Sequence, residues 1–167
     1  MKLEPIVGRY AHIGKHRVYF EEAGQGIPLL CMHTAGSDGR QYRAVLNDAQ
    51  ITKKFRVITF DMPWHGKSSP PAGWEKQDYR LTTAMYTDMI MEFAHEMKLE
   101  RPVVMGCSMG GAIVLKVAAE FQDELSGIVG LESSAYAPGR YNELLHHPAI
   151  HGGELAASYT YGLNAPG

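Results

Sequence analysis

These 167 residues lack most of what would place a chain in an obvious class. Two cysteines, Cys31 and Cys107, are too few for a disulfide framework. Each sits in an apolar run, so both read as buried thiols in a reducing, cytoplasmic setting. The formal net charge of −2 offers no electrostatic basis for binding nucleic acid or an anionic membrane. No apolar run reaches transmembrane length, and none follows Met1-Lys2-Leu3-Glu4-Pro5 as a secretory signal would require. Internal repeats and low-complexity tracts are missing too. What remains, 45% hydrophobic and 20% charged, describes a soluble globular domain long enough to bury a core.

The apolar runs alternate between two kinds. Arg9–Ile13 and Arg17-Val18-Tyr19-Phe20-Glu21-Glu22 flank Gly14-Lys15 and predict an N-terminal hairpin. Pro28–His33, Phe55–Phe60, Val103-Val104-Met105 and Leu125–Leu131 are short and continuously apolar, as strands covered on both faces are. Ser37 or Asp38 opens a helix carrying Tyr42, Val45 and Leu46. Thr82 or Thr83 opens a longer one, whose Met85, Tyr86, Met89, Ile90, Phe93, Ala94 and Met97 form a wide apolar face read as core. Strands alternating with helices predict an α/β fold with a mostly parallel sheet. From about residue 137 onward, tyrosines interleaved with Pro138, Pro148, Gly152 and Gly153 predict the start of a lid, with the core spanning 1–136.

Gly106-Cys107-Ser108-Met109-Gly110 carries the chemistry. It is a G-x-S-x-G pentapeptide between a predicted strand and the helical stripe Ile113, Val114, Val117, Ala118, Phe121. A strand turning abruptly into a helix strains the residue at the bend and projects its side chain outward, and glycines two before and two after let backbone pass closely. The alternative is a turn whose serine merely caps the helix. Strand–turn–helix context favours Ser108 as a nucleophile with Met109 N–H beside it to stabilise an oxyanion.

With Leu29-Leu30-Cys31-Met32-His33-Thr34-Ala35-Gly36 before it and Asp61-Met62-Pro63-Trp64-His65-Gly66-Lys67-Ser68 between, the chain resembles the α/β-hydrolase superfamily from about residue 5 to 136. The segment from Leu29 to Gly36 is similar to that family's oxyanion loop, usually His-Gly-x, with Thr34 in place of the glycine. The segment from Asp61 to Ser68 is similar to its D-x-x-G-x-G-x-S loop, with Trp64 at the first glycine's position. The resemblance implies Ser108 as nucleophile, Ala35 and Met109 N–H as oxyanion donors, and His33, Thr34 and Tyr136 around the substrate. It implies no cofactor and no metal. Glu132, closing the sixth strand, is the candidate acid; the competing reading is a solvated strand-end carboxylate.

In that family the acid and then the base histidine follow the nucleophile, and neither a seventh nor an eighth strand is visible after Leu131. The chain is expected to be the N-terminal part of such an enzyme, truncated after the sixth strand and the start of the lid. His146, His147 and His151 read as lid residues; Pro148 disfavours the helix that would align His147 and His151 on a metal. His65 reads as a positioning or surface residue and His95 as solvent-facing. The expected activity is serine hydrolysis of an ester, thioester or related acyl bond in a small-molecule substrate with an apolar part. The rivals are a non-catalytic ligand-binding relative or inactive remnant, and another reaction of the same superfamily.

Overall fold

The computed structural model of the chain describes residues 8–76 and 82–133. Tyr136, the lid segment and His146, His147 and His151 lie outside them. Six strands form one mixed sheet: β1 (Arg9–Ile13), β2 (His16–Ala23), β3 (Ile27–Met32), β4 (Phe55–Phe60), β5 (Val103–Cys107) and β6 (Gly127–Leu131), in the order β1-β2-β4-β3-β5-β6. The predicted hairpin is β1–β2, and β2 also pairs antiparallel with β4. The remaining pairings, β4 with β3, β3 with β5 and β5 with β6, are parallel.

Side-chain alternation divides the core into two layers. Leu30 and Met32 of β3 and Ile58 and Phe60 of β4 join one cluster, while Leu29, Cys31 and Val57 join the other. Both faces of these strands are covered, so their sequences are apolar throughout rather than alternating. The larger layer is closed by α3 (Thr83–Glu96) and α4 (Met109–Phe121), with Phe93 stacked on Phe60 at 4.5 Å and edge-on to Phe20 at 5.7 Å. The smaller layer is closed by Tyr42 and Leu46, from a 3-10 turn (Gly39–Tyr42) running into α1 (Arg43–Leu46); α2 (Ala49–Thr52) follows.

Local chemistry starts these elements where the sequence indicated. Asp38, not Ser37, caps the turn at Gly39, its carboxylate accepting from Arg40 N–H, and the Thr82 hydroxyl accepts from Met85 N–H at the head of α3. Two expectations need correcting. The buried face of α3 is rotated from the predicted stripe: Met85 is exposed, whereas Thr87 and Met91 are buried. Thr87 tolerates burial because its hydroxyl donates to Ala84 C=O at 3.0 Å. Cys31 is buried, which pushes its thiol up to about 12, but Cys107 is only half-buried because it ends β5 at the sheet's open edge.

Candidate active site

Strand β5 becomes helix α4 across a single residue. Ser108 sits there at φ 52, ψ −112, in the left-handed half of the map, and its side chain makes no capping bond to the helix. A capping serine would have extended backbone and accept an N–H of the first turn, so the capping reading does not describe this bend. Backbone bonds hold the corner instead: Ser108 N–H donates to Leu131 C=O and Ala112 N–H donates to Ser108 C=O, both at 2.9 Å.

The flanking glycines are needed for clearance. A Cβ on Gly106 would lie 2.3 Å from the Gly110 carbonyl carbon, and one on Gly110 would lie 2.5 Å from Met32 O and 2.8 Å from His33 O. The start of α4 is thereby pressed against the end of β3, where the loop carrying Ala35 begins. This brings Ser108, Met109, His33, Thr34 and Ala35 to one sheet edge, at the carboxyl ends of the parallel strands.

That loop is held from several sides. Thr34 C=O accepts from Ser37 N–H at 3.3 Å, closing a tight turn, and Thr34 N–H donates to Gln41 Oε1 at 2.9 Å. The His33 ring contacts Thr34 C=O through Nδ1 at 2.8 Å, and its Nε2 accepts from Met62 N–H at 3.1 Å. An Nε2 that accepts must be unprotonated, so the proton lies on Nδ1 and is donated to Thr34 C=O. In a trans peptide the C=O and N–H point opposite ways. Anchoring Thr34 C=O inward therefore turns the Ala35 N–H of the same peptide outward, and Ala35 is exposed.

His33, expected among the substrate-binding residues, is 1% exposed with both ring nitrogens engaged by backbone. It is a strut beneath the loop rather than a surface a ligand can touch. Burial pushes its pKa down to about 4, so it stays neutral at physiological pH. His65 stands 5.0 Å away by ring centres, its Nδ1 3.0 Å from Pro63 O, and burial lowers its pKa as well. His95 is exposed, as expected, and lies 2.6 Å from Glu124.

Asp61, to which the sequence assigned no role, ties the two loops together. Its Oδ1 accepts from Gly39 N–H at 2.7 Å and its Oδ2 from Lys67 N–H at 2.8 Å; its C=O accepts from Ser68 Oγ at 2.6 Å. Burial raises its pKa to about 6, against those two N–H groups, and the neighbouring Asp38 raises it further. Asp38 itself is held below its ordinary value: burial pushes it up, but the Arg40 guanidinium and N–H outweigh burial. The position of Asp61 at a strand end was a visible signal; the cross-link to the other loop was not, because it joins residues 22 positions apart.

Glu132 follows β6 directly, one residue beyond the carbonyl that receives Ser108 N–H. It is exposed, at φ 46. The backbone thus brings it near the elbow. Among the described residues, no group of three or more His, Cys, Asp or Glu could hold a metal, and no helix is long and apolar enough to cross a membrane.

Comparison with known proteins gives one consistent architecture. The family profile described as alpha/beta hydrolase fold matches residues 27–156. Haloalkane dehalogenase 2 of Mycobacterium bovis is 27% identical over 128 residues, which is 77% of this chain and 42% of that protein. A crystal structure of the N-acyl homoserine lactonase AidH, complexed with N-hexanoyl homoserine, aligns with TM-score 0.64 and 30% identity over 74% of this chain and 44% of that one. The enol-lactonase from Burkholderia xenovorans LB400 aligns with TM-score 0.72 and 21% identity, covering 92% of this chain and 58% of that one, a likeness of fold. The chain spans about two fifths of the length of the curated relatives it matches.

Proposed function

Because the chain belongs to the alpha/beta hydrolase fold family, we propose that the whole protein cleaves an ester, thioester or lactone with Ser108 as nucleophile. The observation that supports this most is the strained Ser108 itself, at φ 52 with its side chain unused by the helix, beside a loop braced to present Ala35 N–H. Strain of this kind persists where surroundings over-determine it, as they do at many active sites.

Ser108 Oγ attacks the acyl carbon as a base takes its proton. The carbonyl oxygen becomes an anion received by the N–H groups of Ala35 and Met109. Collapse expels the leaving alcohol, thiol or ring oxygen and leaves an acyl-serine, which water then hydrolyses. His33 spends both ring nitrogens on backbone and is not placed to be the base; our reading takes the base from the residues after Ser108 and beyond the described ones, as the family's order of nucleophile, acid and histidine implies. Glu132 is our candidate for the acid that orients it. Thr34 and Tyr136 are our candidates for contact with a small substrate carrying an apolar part.

Among the activities named for the similar proteins, the serine itself discriminates. Displacing a halide from an alkyl carbon with a serine oxygen would leave an ether, which water does not cleave under mild conditions. Attack on an acyl carbon leaves an ester, which it does. Ser108 therefore favours acyl transfer over dehalogenation.

A fluorophosphonate probe applied to the full-length protein is expected to label Ser108, and labelling that survives Ser108→Ala overturns the proposal.

A further inference from the structure

Trp64 stands where the resembled loop pattern has a glycine, and its backbone explains the preference: φ is 63, a region strained for any residue with a Cβ. Trp64 lines a cleft of ≈ 390 Å³ between the β1–β2 turn, residues 62–64 and the first turns of α3. That volume is within the range of small-molecule sites. No residue of the Ser108 elbow or of the 33–37 loop lines it.

The lining has a definite chemistry. Met62, Met85 and Met89 supply a soft apolar surface, with Trp64 and Tyr86 as aromatic faces. His16, also in the wall, is 8% exposed and edge-on to Trp64 at 5.7 Å; its Nδ1 has no hydrogen-bond partner among the described residues. A buried ring nitrogen without a partner is costly, and the residue that carries it lines this cleft. Asp88 and Glu92 stand one turn apart on α3, both exposed at the rim, and Glu92 Oε2 lies 3.8 Å from where a Gly14 Cβ would be, so it faces the hairpin turn. Lys15 is the one cation among the described residues of the lining. Burial and Lys15 lower the pKa of His16, partly countered by Glu92, so the ring is neutral near pH 7. The two carboxylates outweigh the single ammonium.

We propose that this cleft binds a small organic monocation, an ammonium group on an aromatic or aliphatic body. The ammonium lies against Asp88 and Glu92, and the body lies against Trp64 and the methionines. Aromatic faces and carboxylates together select for a cation, since the ring quadrupole and the carboxylate charge both attract it while neither favours an anion.

The test uses the 167-residue chain with Trp74→Phe, which leaves Trp64 as its single tryptophan. Trp64 emission is titrated with 2-phenylethylamine, 2-phenylethanol and 3-phenylpropionate. The amine is expected to give a saturable change, with the alcohol about tenfold weaker and the carboxylate weaker still. Combining Asp88→Asn with Glu92→Gln is expected to weaken the amine about tenfold and leave the alcohol unmoved. Equal binding of amine and alcohol, an unchanged affinity in the double variant, or no saturable response overturns the proposal. The unsubstituted chain gives an independent reading: ¹H–¹⁵N resonances of Gly14, His16 and the Trp64 indole should move with amine, and their standing still overturns it equally.

Discussion

The two flanks of the elbow strand β5 are finished very differently. On the β3 side, His33 and Asp61 bond to backbone across the gap between the loops after β3 and β4, and Gln41 braces Thr34 within the first of them. On the other side β6 has β5 as its neighbour among the described residues, and Val129 and Leu131 are 38% and 41% exposed. One flank has polar groups engaged across its loops; the other, among the described residues, leaves apolar groups exposed and a strand edge unpaired. The loop bearing the proposed donor Ala35 is therefore braced from the β3 side, while the elbow bearing Met109 is tied to β6 only through Ser108 N–H and Leu131 C=O, and the difference predicts where the molecule is intolerant of change.

The sharpest probe is the same substitution on each flank. Gly110→Ala would drive a Cβ to 2.5 Å from Met32 O, backbone that cannot yield without moving β3, and should cost about 3 kcal/mol. Gly127→Ala, with nothing within 4 Å of the new Cβ, should leave stability within about 0.5 kcal/mol or raise it slightly. Urea midpoints decide this; equal losses at both sites would erase the contrast.

Next in size is a pH effect confined to the laced flank. His33 has its pKa depressed to about 4 from 6.5, so the unfolded chain binds the extra proton between those values, and this group's contribution rises with pH across that window. Asp61 has its pKa raised from 3.8 to about 6, so the folded chain holds the proton, and its contribution is present below pH 4 and lost as pH rises to 6. The two slopes oppose each other between about pH 4 and 6, while the lowered pKa values of His65, His16 and Asp38 add to the His33 side, so wild-type stability should rise with pH less steeply than it would without Asp61. Asp61→Asn removes one slope, so stability should then climb with pH by on the order of 3 kcal/mol up to about pH 6.5. Denaturation at pH 4.5, 5.5 and 6.5 tests this, and a flat profile in the variant would show that His33 is not buried neutral.

The open flank predicts association rather than instability. A parallel edge strand with exposed apolar side chains is a template for pairing. The 167-residue chain is expected to self-associate in the ultracentrifuge. Val129→Lys with Leu131→Lys should shift it toward monomer while changing stability by no more than about 0.5 kcal/mol. A compact monomer without those changes would show that the edge is covered.

How much of this was legible beforehand follows from sequence distance. The G-x-S-x-G bend, the hairpin around Gly14-Lys15 and the strand Phe55–Phe60 are local patterns, and each stands where its residues indicated. The α3 face was misjudged at Met85, Thr87 and Met91 because helical periodicity alone does not say how wide a face the neighbouring elements cover. The braces were invisible for a related reason. His33 reaches Met62 across 29 positions, and nothing in either residue's neighbourhood announces the other. Trp64 is the intermediate case: a missing glycine was visible, but its left-handed backbone and the cleft beside it were not.

The smallest expected effect separates the two braces of the Ala35 loop. Gln41 is exposed, so in Gln41→Ala water can take over Thr34 N–H, and the stability cost should stay near 0.5 kcal/mol. The orientation of the loop is more sensitive than its stability. Thr34 C=O keeps its bonds to His33 and to Ser37 N–H, but Thr34 N–H loses the Gln41 acceptor and should exchange with solvent faster than in the parent chain. Gln41→Glu keeps an acceptor oxygen at the same reach and should restore the protection, a rescue that a general loosening of the surface would not produce. Unchanged exchange at Thr34 in Gln41→Ala would mean that Gln41 is not what protects this N–H, and the laced flank would then depend on the His33 and Asp61 bonds alone.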